Sequence, residues 1–343
     1  MSTKINIRSP FYIKKTGTVA GGTTATLNLR IWTGDETTDV PSTNTYELSK
    51  TGTTDGSNWS AVFEISELVR DYLDVTFTGT PVSQTVWVRD VGASTNYLAF
   101  DGYGYYDENI NPELSRNFLI SNSVAWKLAD NNLTVPVFVE DATDVQIRKN
   151  GSLVRTITIT DGDDTADKIE YITIVADEAD TIRFRDNANP IKNYDVTIKN
   201  IECSQYDEQL ITFLNKLGAL QQLYFFKKST EKLQVQKETY KSNLITHSFS
   251  DDVAYSARRH QFSDFNVQGK ERIVLNTGFV SEDYNEPIEE LMLSEKIWLK
   301  RDGVTYPVTA VTKSVTLKTS LNDKMVDYTV EFEYAFDKIQ NVR

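Results

Sequence analysis

The sequence predicts a mainly β protein: tandem immunoglobulin-like β-sandwich domains followed by a C-terminal β-rich domain with one short packed helix. Three observations carry that expectation. The composition is rich in Thr, Val, Ile and aromatics, with 17 Tyr and 16 Phe, residue types that favour pleated, half-buried strands. Residues 325–336 alternate cleanly: Val326, Tyr328, Val330, Phe332, Tyr334 and Phe336 face one way, and Asp327, Thr329, Glu331 and Glu333 the other, which is the period of a half-buried strand. Within 145–159, Asn150-Gly151 separates two alternating runs, the strongest short-range hairpin signal, because both residues tolerate the positive φ of a type I′ turn.

At 343 residues the chain is long enough for two or three domains. The polar stretch DENINPEL, 107–114, reads as a linker. The expected units are therefore 1–108, 113–203 and 204–343. In the first, a leading strand surrounds Pro10. Gly21-Gly22 then turns the chain into 25–32, where Ala25, Leu27, Leu29 and Ile31 alternate with polar residues. Further strands fall at 45–48, 60–65, 86–88 and 97–100, spaced as in a sandwich. A short helix follows Ser66 as N-cap, with Ile65, Leu68, Val69, Tyr72 and Leu73 as its apolar stripe.

The second unit adds strands at 133–139, 169–175, 182–185 and 194–201 to the 145–159 hairpin. The third opens with two strands joined near 216–219 and a further strand at 233–235. Residues 246–261 lack a period and read as a loop or arm, and 262–275 reads as a hairpin around Gly269. A helix is expected near 285–297. Asn285 is its N-cap, Pro287 sits in the first turn, Glu286, Glu289 and Glu290 lie at the positive dipole end, and Ile288, Leu291 and Met292 form the buried stripe. Asp302-Gly303 is expected to turn a strand at 297–300 into one at 304–311, and Asn322-Asp323 to turn a strand at 315–321 into the last one.

The bulk properties narrow the function. Net charge is −13 and the pI about 4.8, a surface that repels phosphate backbones and disfavours nucleic acid. The start, MSTKINIRSP, lacks a signal-peptide core, and no apolar run reaches the ~18 residues of a membrane helix. A single cysteine, Cys203, excludes an internal disulfide and a cysteine-rich zinc site, and reads as a small buried hydrophobe. With no secretion route indicated, the Asn-x-Ser/Thr triplets at Asn58, Asn132 and Asn150 carry no glycosylation reading. The expectation is synthesis in a reducing cytoplasm.

Catalytic and metal signatures are missing from the pattern. His247 and His260 stand alone in or near the irregular arm. Asp161-Gly-Asp-Asp164 begins like a calcium loop, but Thr165, Ala166 and Ile172 occupy positions where that loop needs a ligand, a glycine and a bidentate glutamate. No phosphate loop, dinucleotide fingerprint or nucleophile elbow occurs. The reading is therefore no enzyme, no cofactor, no metal and no catalytic residue. Two features bear on binding. Trp32, Trp59, Trp87, Tyr103, Tyr105 and Tyr106 would be sugar-stacking platforms if exposed, and sandwich core otherwise. Lys227, Lys228, Lys232, Lys237 and Lys241 form a basic run in an acidic chain, fit to dock an acidic neighbour or simply to face solvent.

The segments FLNKLGALQQLYFFKKSTEKLQVQKETYK (213–241), RIVLNTGFVSEDYNEPIEELMLSEKIWL (272–299), KTSLNDKMVDYTVEFEYAFDKIQNVR (318–343) and KINIRSPFYIK (4–14) resemble a family of tailed-bacteriophage virion structural proteins. The resemblance covers roughly half the chain. It implies a non-enzymatic tail, baseplate or neck adaptor in the virion, made in the host cytoplasm, that assembles with other virion proteins and as a homo-oligomeric ring. Contacts are then expected in the C-terminal module, around Tyr224–Lys241 and Asn276–Trp298, with Tyr224, Phe225, Phe226, Lys227, Lys228, Tyr284 and Trp298 as candidates. The alternative is a fibre-type receptor-recognition protein with a glycan as partner, held by the six aromatics of the first unit. Neither reading needs nucleic acid or a membrane.

Overall fold

The computed structural model describes residues 3–93, 95–112, 118–140, 142–160, 165–186, 193–201, 205–247, 249, 252–317 and 326–340. The first region contains β1 (Thr3–Asn6), β2 (Tyr12–Thr18), β3 (Thr24–Trp32), β4 (Tyr46–Thr51), β5 (Thr53–Thr54), β6 (Asn58–Glu64), the short helix α1 (Ser66–Arg70), β7 (Val86–Asp90) and β8 (Thr95–Phe100). A five-stranded sheet, β1-β8-β7-β3-β4, opposes a three-stranded sheet, β2-β6-β5. Inward residues of both, among them Leu27, Leu29, Val88, Ile13 and Phe63, form one buried cluster, which is the period-two pattern of a sandwich. Ser66 does not cap α1, since Ile65 holds that position. The buried Ser66 hydroxyl instead donates to Ser9 O and accepts from Phe11 N, both at 2.8 Å, tying the helix to the turn between β1 and β2.

The second region contains β9 (Val124–Leu128), β10 (Leu133–Phe138), β11 (Ala142–Lys149), β12 (Ser152–Thr158), β13 (Ile169–Ile174), β14 (Thr181–Asp186) and β15 (Asn193–Ile201). They form a five-stranded sheet, β12-β11-β14-β15-β9, and the pair β10-β13. The hairpin between β11 and β12 turns at Asn150 (φ 49°) and Gly151 (φ 77°), as a type I′ turn requires. The Asp161–Asp164 stretch and Cys203 lie outside the described residues.

The third region contains β16 (Gln209–Leu214), β17 (Leu220–Phe225), β18 (Thr230–Lys241), β19 (Ile245–Thr246), β20 (Ala254–Tyr255), β21 (Phe262–Asn276), the helix α2 (Asn285–Leu293), β22 (Ile297–Arg301), β23 (Val304–Ala310) and β24 (Thr329–Tyr334). Seven strands make one sheet, β17-β16-β22-β23-β24-β21-β18, and β19-β20 is a separate pair. Asp302 (φ 50°) and Gly303 (φ 78°) make the expected turn between β22 and β23. The alternation of the last strand holds: Val326, Tyr328, Val330, Phe332 and Tyr334 are buried, while Phe336, past the strand, is exposed. Residues 315–317 are not strand, and Asn322-Asp323 lies outside the described residues.

Two expectations are corrected here. The 262–275 hairpin is a single strand: Gly269 pairs with Val235 in the ladder, and a Cβ on it would meet Leu233 Cδ1 at 3.2 Å and Lys338 Cβ at 3.3 Å, so the glycine serves close packing, not a turn. The helix expected to 297 ends at Leu293, because Ser294 is extended (ψ 134°) and Ile297 opens a strand. Its N-cap is Tyr284, with Asn285 already helical.

The cores run across the boundaries that the linker composition suggests. One buried cluster unites the second and third regions, from Phe118 and Phe184 to Phe225 and Phe332. A second joins all three through Trp87, Phe100, Phe138 and Ala219. A third packs Val75 and Phe77 of the first region on Leu214, Leu220 and Trp298. Apolar contact on this scale holds the regions to one another as well as each internally.

Candidate assembly surface

The most distinctive surface follows from β18 and β21. Both alternate apolar and polar residues, yet all twelve residues of β18 are exposed. The inner end of β21, Arg272 to Asn276, pairs with β24; the remainder pairs with β18 as far as Lys241–Phe262. The result is a two-stranded ribbon that leaves the sheet. Ten residues of β21, 262 to 271, extend it by roughly 33 Å, and the β19-β20 pair forms its tip, with Ile245 opposite Tyr255.

Its base is fixed by the C-terminal segment: Lys338 N donates to Gly269 O at 2.7 Å, and Gln268 Nε2 to Ile339 O at 3.0 Å. Further out, cross-strand pairs hold it. Lys237 Nζ lies 2.7 Å from Asp264, which also accepts from Thr239 Oγ1 at 3.0 Å; these partners hold the Asp264 carboxyl below its ordinary range. Tyr240 and Phe265 meet edge to face at 5.7 Å. The register slips between Gln236 and Glu238, where Asn266 has φ 49°. Such a bulge bends and twists the ribbon.

Along its length the ribbon shows large apolar side chains to solvent: Leu233 (59% exposed), Val235, Tyr240, Phe262 and Phe265, and at the tip Phe249, Val253 and Tyr255. Its charges balance: residues 230–271 carry six Lys and Arg against six Asp and Glu, in a chain of net −13. Beside the base lies an open groove of about 640 Å³, bordered by Glu231, Leu233, Arg272, Arg301, Tyr306 and Tyr334. Its charges pair with one another, as Arg301 with Glu231 at 2.5 Å, and its rings cluster, Tyr306 to Tyr334 at 5.7 Å and Tyr334 to Phe336 at 5.5 Å.

Most residues expected at the interface lie elsewhere. Tyr224, Phe225, Phe226, Tyr284 and Trp298 are buried and serve the chain's own core. The Tyr224 hydroxyl donates to Asn132 O at 2.6 Å, that of Tyr284 to Tyr224 O at 3.1 Å, and Trp298 packs on Phe77 at 5.6 Å. Only Lys227 and Lys228 of that set are exposed. The expected range 224–241 takes in β18, but β21 and the apolar residues of the ribbon were not singled out from the sequence. The available signal was the matching period-two pattern on both sides of 246–261, which marks one long hairpin around the arm.

The six candidate sugar-stacking rings are likewise dispersed. Trp87 is fully buried, and Trp32 is buried with its Nε1 donating to Asp35 O at 2.8 Å. Tyr103 and Tyr105 are half-buried and already face cations of their own chain, Arg8 at 4.6 Å and Lys216 at 3.9 Å. Tyr106 is fully exposed. Trp59 is half-buried, its indole packed where a Cβ on Gly17 or Gly52 would clash, and it borders an open groove of about 620 Å³ with Lys14, Thr54, Asp55 and Asn58.

Both histidines are exposed on the arm. Among the described residues no cluster of three or more His, Cys, Asp or Glu is placed to hold a metal ion, and no helix is long and apolar enough to cross a membrane. The chain matches no protein-family model, and no curated protein is similar to it.

Proposed function

We propose that this chain is a non-enzymatic structural component of a tailed-phage virion, an adaptor of the tail, baseplate or neck that self-associates and docks neighbouring virion proteins. The observation that carries the reading is the projecting ribbon. A lone two-stranded ribbon is marginally stable in water, and one that shows aromatic and aliphatic side chains on exposed strands gains from burial against another surface. The three regions behind it, joined through shared cores, supply a rigid platform. Weak contacts made by each copy add up when several act together around a closed ring. The test is antibody labelling of purified particles of the encoding phage. Label at the neck, tail or baseplate of intact particles is the expected result; infectious particles that lack the chain contradict the proposal.

A second reading, glycan recognition, is favoured by Trp59 alone among the six rings, because a half-exposed indole amid hydroxyl, amide and carboxylate side chains suits a sugar ring. Here Trp59→Ala abolishes binding on a glycan array, and an array without hits removes the reading.

A further inference from the structure

All three regions contribute to one polar cleft. Its volume is about 560 Å³, within the roughly 300–1,000 Å³ of small-ligand sites, which favour the interfaces between domains. The loop at 79–81 comes from the first region. The β9–β10 turn at 130–132, with Thr134 and Thr173, comes from the second, and Glu208, Gln222 and Lys300 come from the third. Leu210 and Pro81, both half-buried, add apolar surface.

Hydrogen bonds between the second and third regions fix the polar side chains of the cleft. Asn131 Nδ2 donates to Glu208 Oε1 at 2.5 Å, and Gln222 Oε1 accepts from Thr134 N at 2.8 Å. Tyr224 holds the same turn through Asn132 O. Each of the first two bonds uses one side-chain oxygen, so the second Glu208 oxygen can still accept and the Gln222 amide NH₂ can still donate. Lys300 adds an ammonium donor and Asp130 an exposed carboxylate. Asp302, 3.6 Å from Arg301, is the third carboxylate. Three carboxylates against one lysine make the cleft acidic, yet both donors and acceptors line it.

We infer that this cleft binds an uncharged oligosaccharide. A sugar hydroxyl donates and accepts at once, so neighbouring hydroxyls call for a carboxylate oxygen together with an amide or ammonium N–H. Glu208, Gln222 and Lys300 supply that set, and the C–H face of the sugar ring packs on Leu210 and Pro81. The side chains are already held by bonds between the regions, so little order is lost on binding. The excess of carboxylates repels sialylated, sulfated and phosphorylated glycans. A basic peptide satisfies the carboxylates but sets its own charge against Lys300. The site shares a ligand class with the Trp59 reading but none of its residues, and it is independent of the assembly reading.

The test is a glycan array that also carries Lys- and Arg-rich peptides, probed with the full chain clustered by antibody so that weak single contacts add up. Uncharged oligosaccharides are expected to retain the chain, and acidic ones are not. Thr80→Trp, which fills the cleft from an exposed loop position, should abolish the signal. Glu208→Gln, which keeps an oxygen for Asn131 but loses the charge, should lower it about ten-fold. Both variants should retain the native thermal midpoint, and Trp59→Ala should leave this signal unchanged. An array without hits, retention on acidic glycans or basic peptides alone, or a signal that both cleft variants keep overturns the inference. A signal that Trp59→Ala alone removes also overturns it, and places the sugar in the Trp59 groove instead.

Discussion

Glu290 is the carboxylate on which the junction of the three regions turns. It is 2% exposed, and its Oε2 accepts from Ser121 Oγ at 2.9 Å and Lys216 N at 3.1 Å. Around it Asn215 Nδ2 donates to Leu119 O at 2.6 Å, and Tyr103 N donates to Lys216 O at 2.8 Å. Burial pushes the carboxyl from 4.5 up to about 7, against the two hydrogen bonds. With the folded value raised, the folded chain holds this proton more tightly than the unfolded chain. The resulting stabilisation is complete below 4.5 and is lost as pH rises through about 7. Glu290→Gln, which cannot ionise, is therefore expected to be more stable than the native chain at about pH 8, by up to about 3 kcal/mol. The difference closes as pH falls toward 4.5. Denaturant unfolding at the two pH values checks this, and a gap independent of pH would contradict it.

At the scale of elements, turns and ribbon make separate predictions. Gly151 has φ 77° in its hairpin, a conformation that costs an L side chain about 1 kcal/mol or more. Gly151→Ala should lose that amount in denaturant unfolding. Replacing 242–261 with a two-residue Asn-Gly turn between Lys241 and Phe262, which already pair, should shift the thermal midpoint by less than about 2 °C, since β18 is exposed throughout, while abolishing self-association. The hairpins at Asn150-Gly151 and Asp302-Gly303 and the inward face of the last strand were legible in the sequence because local chemistry decides them: positive φ in the first case, a period of two in the second. The ribbon was only half legible. Its alternation shows a strand, but whether a strand lies on a core or stands in solvent depends on what tertiary structure sets against it. Gly269 misled for the same reason, as a turn and a close approach leave the same mark in sequence. The interface candidates show the converse limit: Tyr224, Tyr284 and Trp298 are large and aromatic, as interfaces favour, but so are cores.

At the scale of the whole molecule, shared cores make the three regions one platform for the ribbon. Trp298 is 8% exposed and packs on Phe77 of the first region, so Trp298→Ala should cost about 3–5 kcal/mol, read as an earlier denaturant midpoint. A platform with a projecting ribbon that shows apolar side chains to solvent is a geometry for repeated assembly. The measurement that tests this most directly is the solution mass of the purified full chain by light scattering, with negative-stain images of the same sample. Defined oligomers, closed rings among them, are expected, and they should dissociate when residues 242–261 are replaced. A chain that remains a strict monomer at high concentration would contradict the assembly proposal.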